Sequence, residues 1–200
     1  MALTLVIGDK NLSSWSLRPW LLLRMLGGPF EEALIRLDRP TTKQDILRHS
    51  PAGRVPVLRH DGLVVWDTLA ILEYLAELHP RAVWPAEAAE RARARSLAAE
   101  MHAGFADLRR ELPMDICARK PGHPYGEETA RDIARIVEIW SQAKGPFLCG
   151  PFGGVDAMYA PVATRFVTYG VALPAAAARY RDAVLALPPM REWAEAAARE

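Results

Sequence analysis

The residues best placed to do chemistry are the run Ser13-Ser14-Trp15-Ser16-Leu17-Arg18, between an apolar stretch, Leu3 to Ile7, and a helical pattern that continues to Met25. Hydroxyls at such a junction lie beside a helix N-terminus. Unpaired backbone N–H groups and the helix dipole there can hold and activate an anion. The first tyrosine is Tyr74 and the first cysteine is Cys117, so thiol or anion chemistry in this loop falls to serine. Two other runs carry polar groups at comparable junctions. One is Ser50-Pro51-Ala52-Gly53-Arg54-Val55-Pro56-Val57-Leu58, and the other is Asp67-Thr68 at the start of a helical pattern. Read alone, each has a plain structural explanation: capping serines, an edge strand with a proline, and a helix cap.

The elements that must position these groups follow from periodicity. Leu3 to Ile7 reads as a buried strand, and Leu17, Trp20 and Leu21 follow helical spacing until Gly27-Gly28-Pro29 ends the pattern. Proline is tolerated only in the first turn of a helix. With Ser16 as N-cap, Pro19 falls at the third helical position, which predicts that Ser13 and Ser14 lie in the loop before the cap. Ala33 to Leu37 reads as a second strand, and Thr41 to His49 as a polar helix. Val55 to His60 and Leu63 to Trp66 flank Asp61-Gly62, the signature of a tight antiparallel hairpin. Asp67-Thr68 then caps a helix running toward Pro80, giving the order β-α-β-α-β-β-α.

Beyond a break at His79 to Ala89 the β signals largely vanish. Arg91 to Leu112 reads as one long helix with an apolar stripe at Leu97, Met101, Phe105, Leu108 and Leu112. Residues 113–126 read as a loop. Helices follow around Ile133 to Trp140, around Met158 to Phe166, over 175–187, and from Pro189 to the end. The fold expectation is α/β plus all-α. It comprises a thioredoxin-like domain at 1–80, a linker at 81–89 and an all-helical domain at 90–200.

Composition narrows the classes. Of 200 residues, 50% are apolar and 24% charged, which suits a globular chain. A net charge of +1 gives no electrostatic case for nucleic acid or an anionic membrane. The 2 cysteines, Cys117 and Cys149, form no CxxC pair, which fits a reducing, cytoplasmic compartment. The 5 histidines are scattered without metal-ligand spacing, so no metal is expected. The apolar N-terminal run is cut by Asp9 and Lys10, too short for a signal peptide or membrane span.

In their order and spacing the three runs resemble the glutathione-binding domain of the glutathione S-transferase superfamily. Phe147 to Gly150 followed by Val155 to Pro161 resembles the segment that enters the buried helix of that superfamily's C-terminal domain. The resemblance implies a glutathione transferase that conjugates glutathione, as co-substrate, to a small hydrophobic electrophile in detoxification-type chemistry. It also implies a homodimer. On that resemblance, Pro56 is cis and turns the Val55 backbone toward the cysteinyl unit. Thr68 and free N–H groups hold the γ-glutamyl carboxylate, Asp67 its ammonium, and Arg54 the glycyl carboxylate. Ser13 donates to the sulfur, with Ser14 as the alternative donor, and Trp15 follows them as a ligand contact or as core. The nearest pattern is the Ser-Ser-Cys-Ser-x-Arg motif of the zeta-like group, but Trp15 replaces its cysteine. That departure bears on the alternative activity, a maleylacetoacetate isomerase-like reaction. A non-catalytic binding protein on the same fold is the other alternative. Gly153 stands where the family's second capping box has serine, and is expected to have a small stability cost. Met101, Phe105 and residues near Met114 are expected either to line the acceptor pocket or to pack in the core.

Overall fold

The computed structural model describes residues 3–200. A four-stranded sheet is ordered β2-β1-β3-β4, from β1 (Leu3–Gly8), β2 (Glu31–Ile35), β3 (Val57–His60) and β4 (Leu63–Trp66). The β1–β2 pair is parallel, whereas β1–β3 and β3–β4 are antiparallel, with Leu5 opposite Leu58 and Val57 opposite Trp66. The apolar run of β1 occupies an inner strand, and Leu5, Val6 and Ile7 are wholly buried. The hairpin turn carries Asp61 at φ 48° and Gly62 at φ 89°, the paired positive dihedrals that a two-residue turn demands.

Helices α1 (Ser14–Leu26) and α3 (Thr68–Leu78) cover one face of the sheet, and α2 (Thr42–Leu47) covers the other. Alternation along the strands divides the core accordingly. Val6, Val57 and Ile35 meet Ile46 of α2, whereas Leu5, Ile7 and Leu58 join Leu17, Leu21, Ile71 and Leu72. The second cluster continues without a gap into the helical half, where α1 packs on α7 (Gly154–Thr168).

The helical half comprises α4 (Ala88–Ala103), α5 (Ala106–Glu111), α6 (Glu127–Ser141), α7, α8 (Ala175–Leu185) and α9 (Pro188–Ala197). The single helix expected over Arg91 to Leu112 is two, broken at Gly104-Phe105. A Cβ on Gly104 would lie 2.9 Å from the Glu100 carbonyl oxygen, and Phe105 has φ 58°. The stripe itself is buried throughout, because Phe105, Leu108 and Leu112 still face the core after the bend. Met101, Phe105 and Met114 are core residues, 1%, 7% and 2% exposed. Strand β2 begins two residues earlier than the sequence pattern suggests. Among the described residues no helix is long and apolar enough to cross a membrane, and no cluster of His, Cys, Asp and Glu is suited to a metal ion.

Candidate functional site

Helix α1 begins earlier than the proline rule implies. Ser13 is its N-cap and Ser14 its first residue, so Pro19 stands inside the helix. The expectation that both serines precede a Ser16 cap is corrected by one hydrogen bond. Pro19 has no N–H to offer the Trp15 carbonyl four residues before it. The Thr68 hydroxyl supplies the missing donor, Oγ1 to Trp15 O at 3.1 Å. A tertiary contact thus lets the helix run through the proline and ties the start of α3 to the start of α1.

The serines form a short relay. Ser13 makes no side-chain cap bond; its Oγ lies 2.7 Å from Ser16 Oγ, which accepts the Gly8 N–H at 3.1 Å. A hydroxyl that accepts from a fixed N–H is free to donate onward. Ser16 can therefore donate to Ser13 and leave the Ser13 proton available for an anion. Ser13 and Ser14 are both 6% exposed.

Next to them a cavity of about 660 Å³ opens between the sheet end and α4. Trp15, Arg54, Val55, Pro56, Asp67 and Thr68 all line it, joined by Ala52, Trp66 and His102. Ser13 and Ser14 do not line it and lie behind Trp15 in the chain. The Val55–Pro56 peptide is cis. Pairing of β3 with β1 and β4 starts at Val57, so Val55 lies outside both ladders. Thr68 is 1% exposed with its hydroxyl proton committed to Trp15, so its backbone is the part left to meet a ligand.

Asp67 is the N-cap of α3, at φ 72°, an unfavourable backbone for a residue with a Cβ. Its Oδ1 accepts the Leu69 N–H at 2.9 Å and the Ala70 N–H at 3.4 Å. Oδ2 makes no cap bond and instead meets Nε2 of His102, on α4, at 2.8 Å. The His102 ring also stands edge-on to Trp15, with centroids 5.4 Å apart.

Behind Trp15 lies an unusual concentration of cations. The Arg18 guanidinium stacks on the indole at 4.1 Å and that of Arg109 lies 5.1 Å away. Arg18 is fully buried, and its Nε donates to the Met158 carbonyl at 2.9 Å, whereas both Nη atoms are unpartnered. Burial, reinforced by repulsion from Arg165 and Arg109, pulls its pKa well below the ordinary guanidinium range. Arg165, on α7, is 3% exposed with an unpartnered Nε, and burial with Arg109 nearby pulls it down to about 10. Arg109 also donates to the Gly104 and Met101 carbonyls where α4 breaks.

His102, Trp66, Arg109 and Arg165 escape a sequence reading. Their roles come from the bend at Gly104 and from packing of α4 and α7 on α1, neither of which leaves a local pattern. The half-exposed Trp66 carries one signal: it ends a strand next to a helix cap.

A family model described as the glutathione S-transferase N-terminal domain matches residues 12–78, the segment that builds most of the cavity wall. A curated relative, a probable maleylacetoacetate isomerase from Caenorhabditis elegans, is 30% identical over 112 residues, 56% of this chain and 51% of that protein. The match spans about half the length of that relative. Among solved structures, a glutathione transferase homologue from Burkholderia BGR1 with bound glutathione superposes with TM-score 0.77 and 23% identity, covering 100% of this chain and 99% of that one. A glutathione transferase from Methylococcus capsulatus gives TM-score 0.74 and 22% identity over 99% of this chain and 100% of the other. At those identities the structures speak for the fold. The N-terminal match thus falls on the residues that line most of the cavity, and the whole chain has the fold of the glutathione transferases.

Proposed function

We propose that this protein is a serine-type glutathione transferase, adding glutathione thiolate to a small electrophile. The observation that carries the proposal is one cavity wall built from Arg54, Val55, cis-Pro56, Asp67 and the Thr68 backbone. A tripeptide thiol needs a strand edge for its backbone, an anion site at a helix N-terminus and a carboxylate for its ammonium, and this wall offers all three. Ser13, backed by the Ser16 relay, is the donor to sulfur. A free thiol with pKa near 8.5 is only a few per cent ionised at pH 7. One hydrogen bond to the thiolate, worth roughly 1.5–3 kcal/mol, lowers that pKa by about one to two units. The acceptor enters from the α4 side, past Trp15 and His102. We place the domain division in the 81–89 segment and infer a cytoplasmic two-fold dimer, to be checked by light scattering. Calorimetry with glutathione and conjugation assays with broad electrophiles test the activity. Absence of both binding and turnover sinks it.

A second reading, an isomerase acting on a maleyl-type diacid, gains support from the arginines behind Trp15. None of the three arginines lines the cavity, so they favour an acidic substrate through the positive field behind Trp15, and the nematode relative carries that activity in its name. Direct assay with a maleyl substrate distinguishes it from simple conjugation.

A further inference from the structure

We propose that His102 is a placeholder for the ligand's ammonium: in the free protein its Nε2 occupies the carboxylate oxygen of Asp67 that a bound γ-glutamyl ammonium must use. The inference rests on the glutathione reading above and adds an internal competitor for the ligand's ammonium to it.

Asp67 has a fixed number of lone pairs. Oδ1 is spent on the Leu69 and Ala70 N–H groups at the start of α3, and those bonds must persist for the helix to stay capped. Oδ2 makes no cap bond, faces the cavity, and holds His102 Nε2 at 2.8 Å, with Oδ1 at 3.1 Å from the same nitrogen. With Nε2 at 2.8 and 3.1 Å from the two oxygens, the imidazole takes the bridging position on the carboxylate. An ammonium seeking that same position exchanges with the imidazole rather than adding to it.

The surroundings make the exchange feasible. His102 lies in the last turn of α4, and its side chain is 30% exposed, while that of Asp67 is 47% exposed. Its remaining contact is edge-on to Trp15, which lets the ring swing without opening the core. The charged groups around it are Asp67 from α3, Arg54 in the same cavity lining, and Arg18 and Arg109 stacked on Trp15. The imidazole thus stands in for the ammonium until ligand arrives, and a ligand without an ammonium has nothing with which to displace it. The contact weakens binding of γ-glutamyl peptides with a free amine, which must displace it, leaves deaminated analogues unaffected, and is released between the two halves of the molecule when the ammonium binds.

The test is calorimetric binding of S-methylglutathione and of its des-amino analogue, the glutaryl form, to wild type, His102→Phe and His102→Gln. Phe keeps the ring against Trp15 and removes the donor. The expected result is a gain of roughly three- to tenfold for S-methylglutathione in His102→Phe, with the des-amino analogue unchanged. His102→Gln, which retains a neutral donor, shows a smaller gain in the same direction and serves alone if the Phe variant does not fold. Weaker binding of S-methylglutathione in the variants, or an equal change for both ligands, overturns the proposal while leaving the glutathione reading intact. Failure of every form to bind S-methylglutathione overturns the glutathione reading, and the proposal falls with it.

Discussion

Two hydroxyls near the cavity do different jobs, and single substitutions separate them. The Thr68 hydroxyl replaces the N–H that Pro19 lacks. Thr68→Val keeps the shape and leaves the Trp15 carbonyl without a donor, so it should destabilise the fold by about 1–3 kcal/mol. A matched loss in denaturant midpoint is the readout, and Pro19→Ala in the same background should restore most of it. The Ser13 hydroxyl carries no such structural load, since it makes no cap bond. Ser13→Ala should leave glutathione affinity within about twofold and raise the bound thiol's pKa by about one to two units. Thiolate absorbance followed against pH measures this directly, and an unmoved curve would shift the role to Ser14. Part of the candidate cavity lining was legible at this scale. Arg54, Val55, Pro56, Asp67 and Thr68 sit in runs whose order and spacing are distinctive, and they line one cavity. Where the helix runs through Pro19 against expectation, the cause is the Thr68 hydroxyl, 53 residues from the Trp15 carbonyl it serves. A proline rule is local, and the hydrogen bond that overrides it is not.

Elements are held by contacts that sometimes oppose the local preference. Gly153 at the start of α7 looks like a weakened cap, because serine there would bond the third helical N–H. The Asp156 side of the capping box is intact, Oδ2 accepting the Gly153 N–H at 3.0 Å. A Cβ on Gly153 would lie 2.9 Å from the Val83 carbonyl oxygen, which itself accepts the Gly154 N–H at 2.8 Å. Gly153→Ser should therefore destabilise the protein, by about 1–3 kcal/mol, where cap propensity alone predicts a gain. A raised melting temperature would contradict this. Asp156 itself is fully buried and accepts from Leu148 N–H, Gly153 N–H and the Tyr180 hydroxyl. Desolvation outweighs those bonds and pushes its carboxyl up to about 6 from the usual 3.8. The folded protein then binds the proton more tightly than the unfolded chain. Stability falls as pH rises from about 4 to about 6, by roughly 3 kcal/mol in all, and is flat in this respect above that window. Melts of wild type and Asp156→Asn across pH 4–8 isolate the effect, since other groups cancel in the difference. Strands, helices and the hairpin were legible from periodicity and turn chemistry. The break in the long helix was not, because Gly104 interrupts no apolar stripe.

At the scale of the whole molecule, the join between sheet domain and helical half is where composition misleads most. A net charge of +1 conceals three arginines from α1, α5 and α7: Arg18 and Arg109 against the Trp15 indole, and Arg165 near both. Sequence separation hides the cluster, since the three are brought together only when α7 packs on α1. Isolated guanidinium groups in an interior are expensive, and replacing one with a well-packed apolar chain is often neutral or stabilising. Arg165 accepts that burden with an unpartnered Nε and repulsion from Arg109. Arg165→Met should accordingly leave the ligand-free protein as stable as wild type or raise its melting temperature by a few degrees. If the cations serve an acidic acceptor, the same variant should bind a dicarboxylate inhibitor about tenfold more weakly, with glutathione affinity unchanged. A variant that melts much lower and binds the diacid normally would mean that the arginines hold the two halves together. A stable variant that loses the diacid means that the fold bears their mutual repulsion for the sake of a substrate.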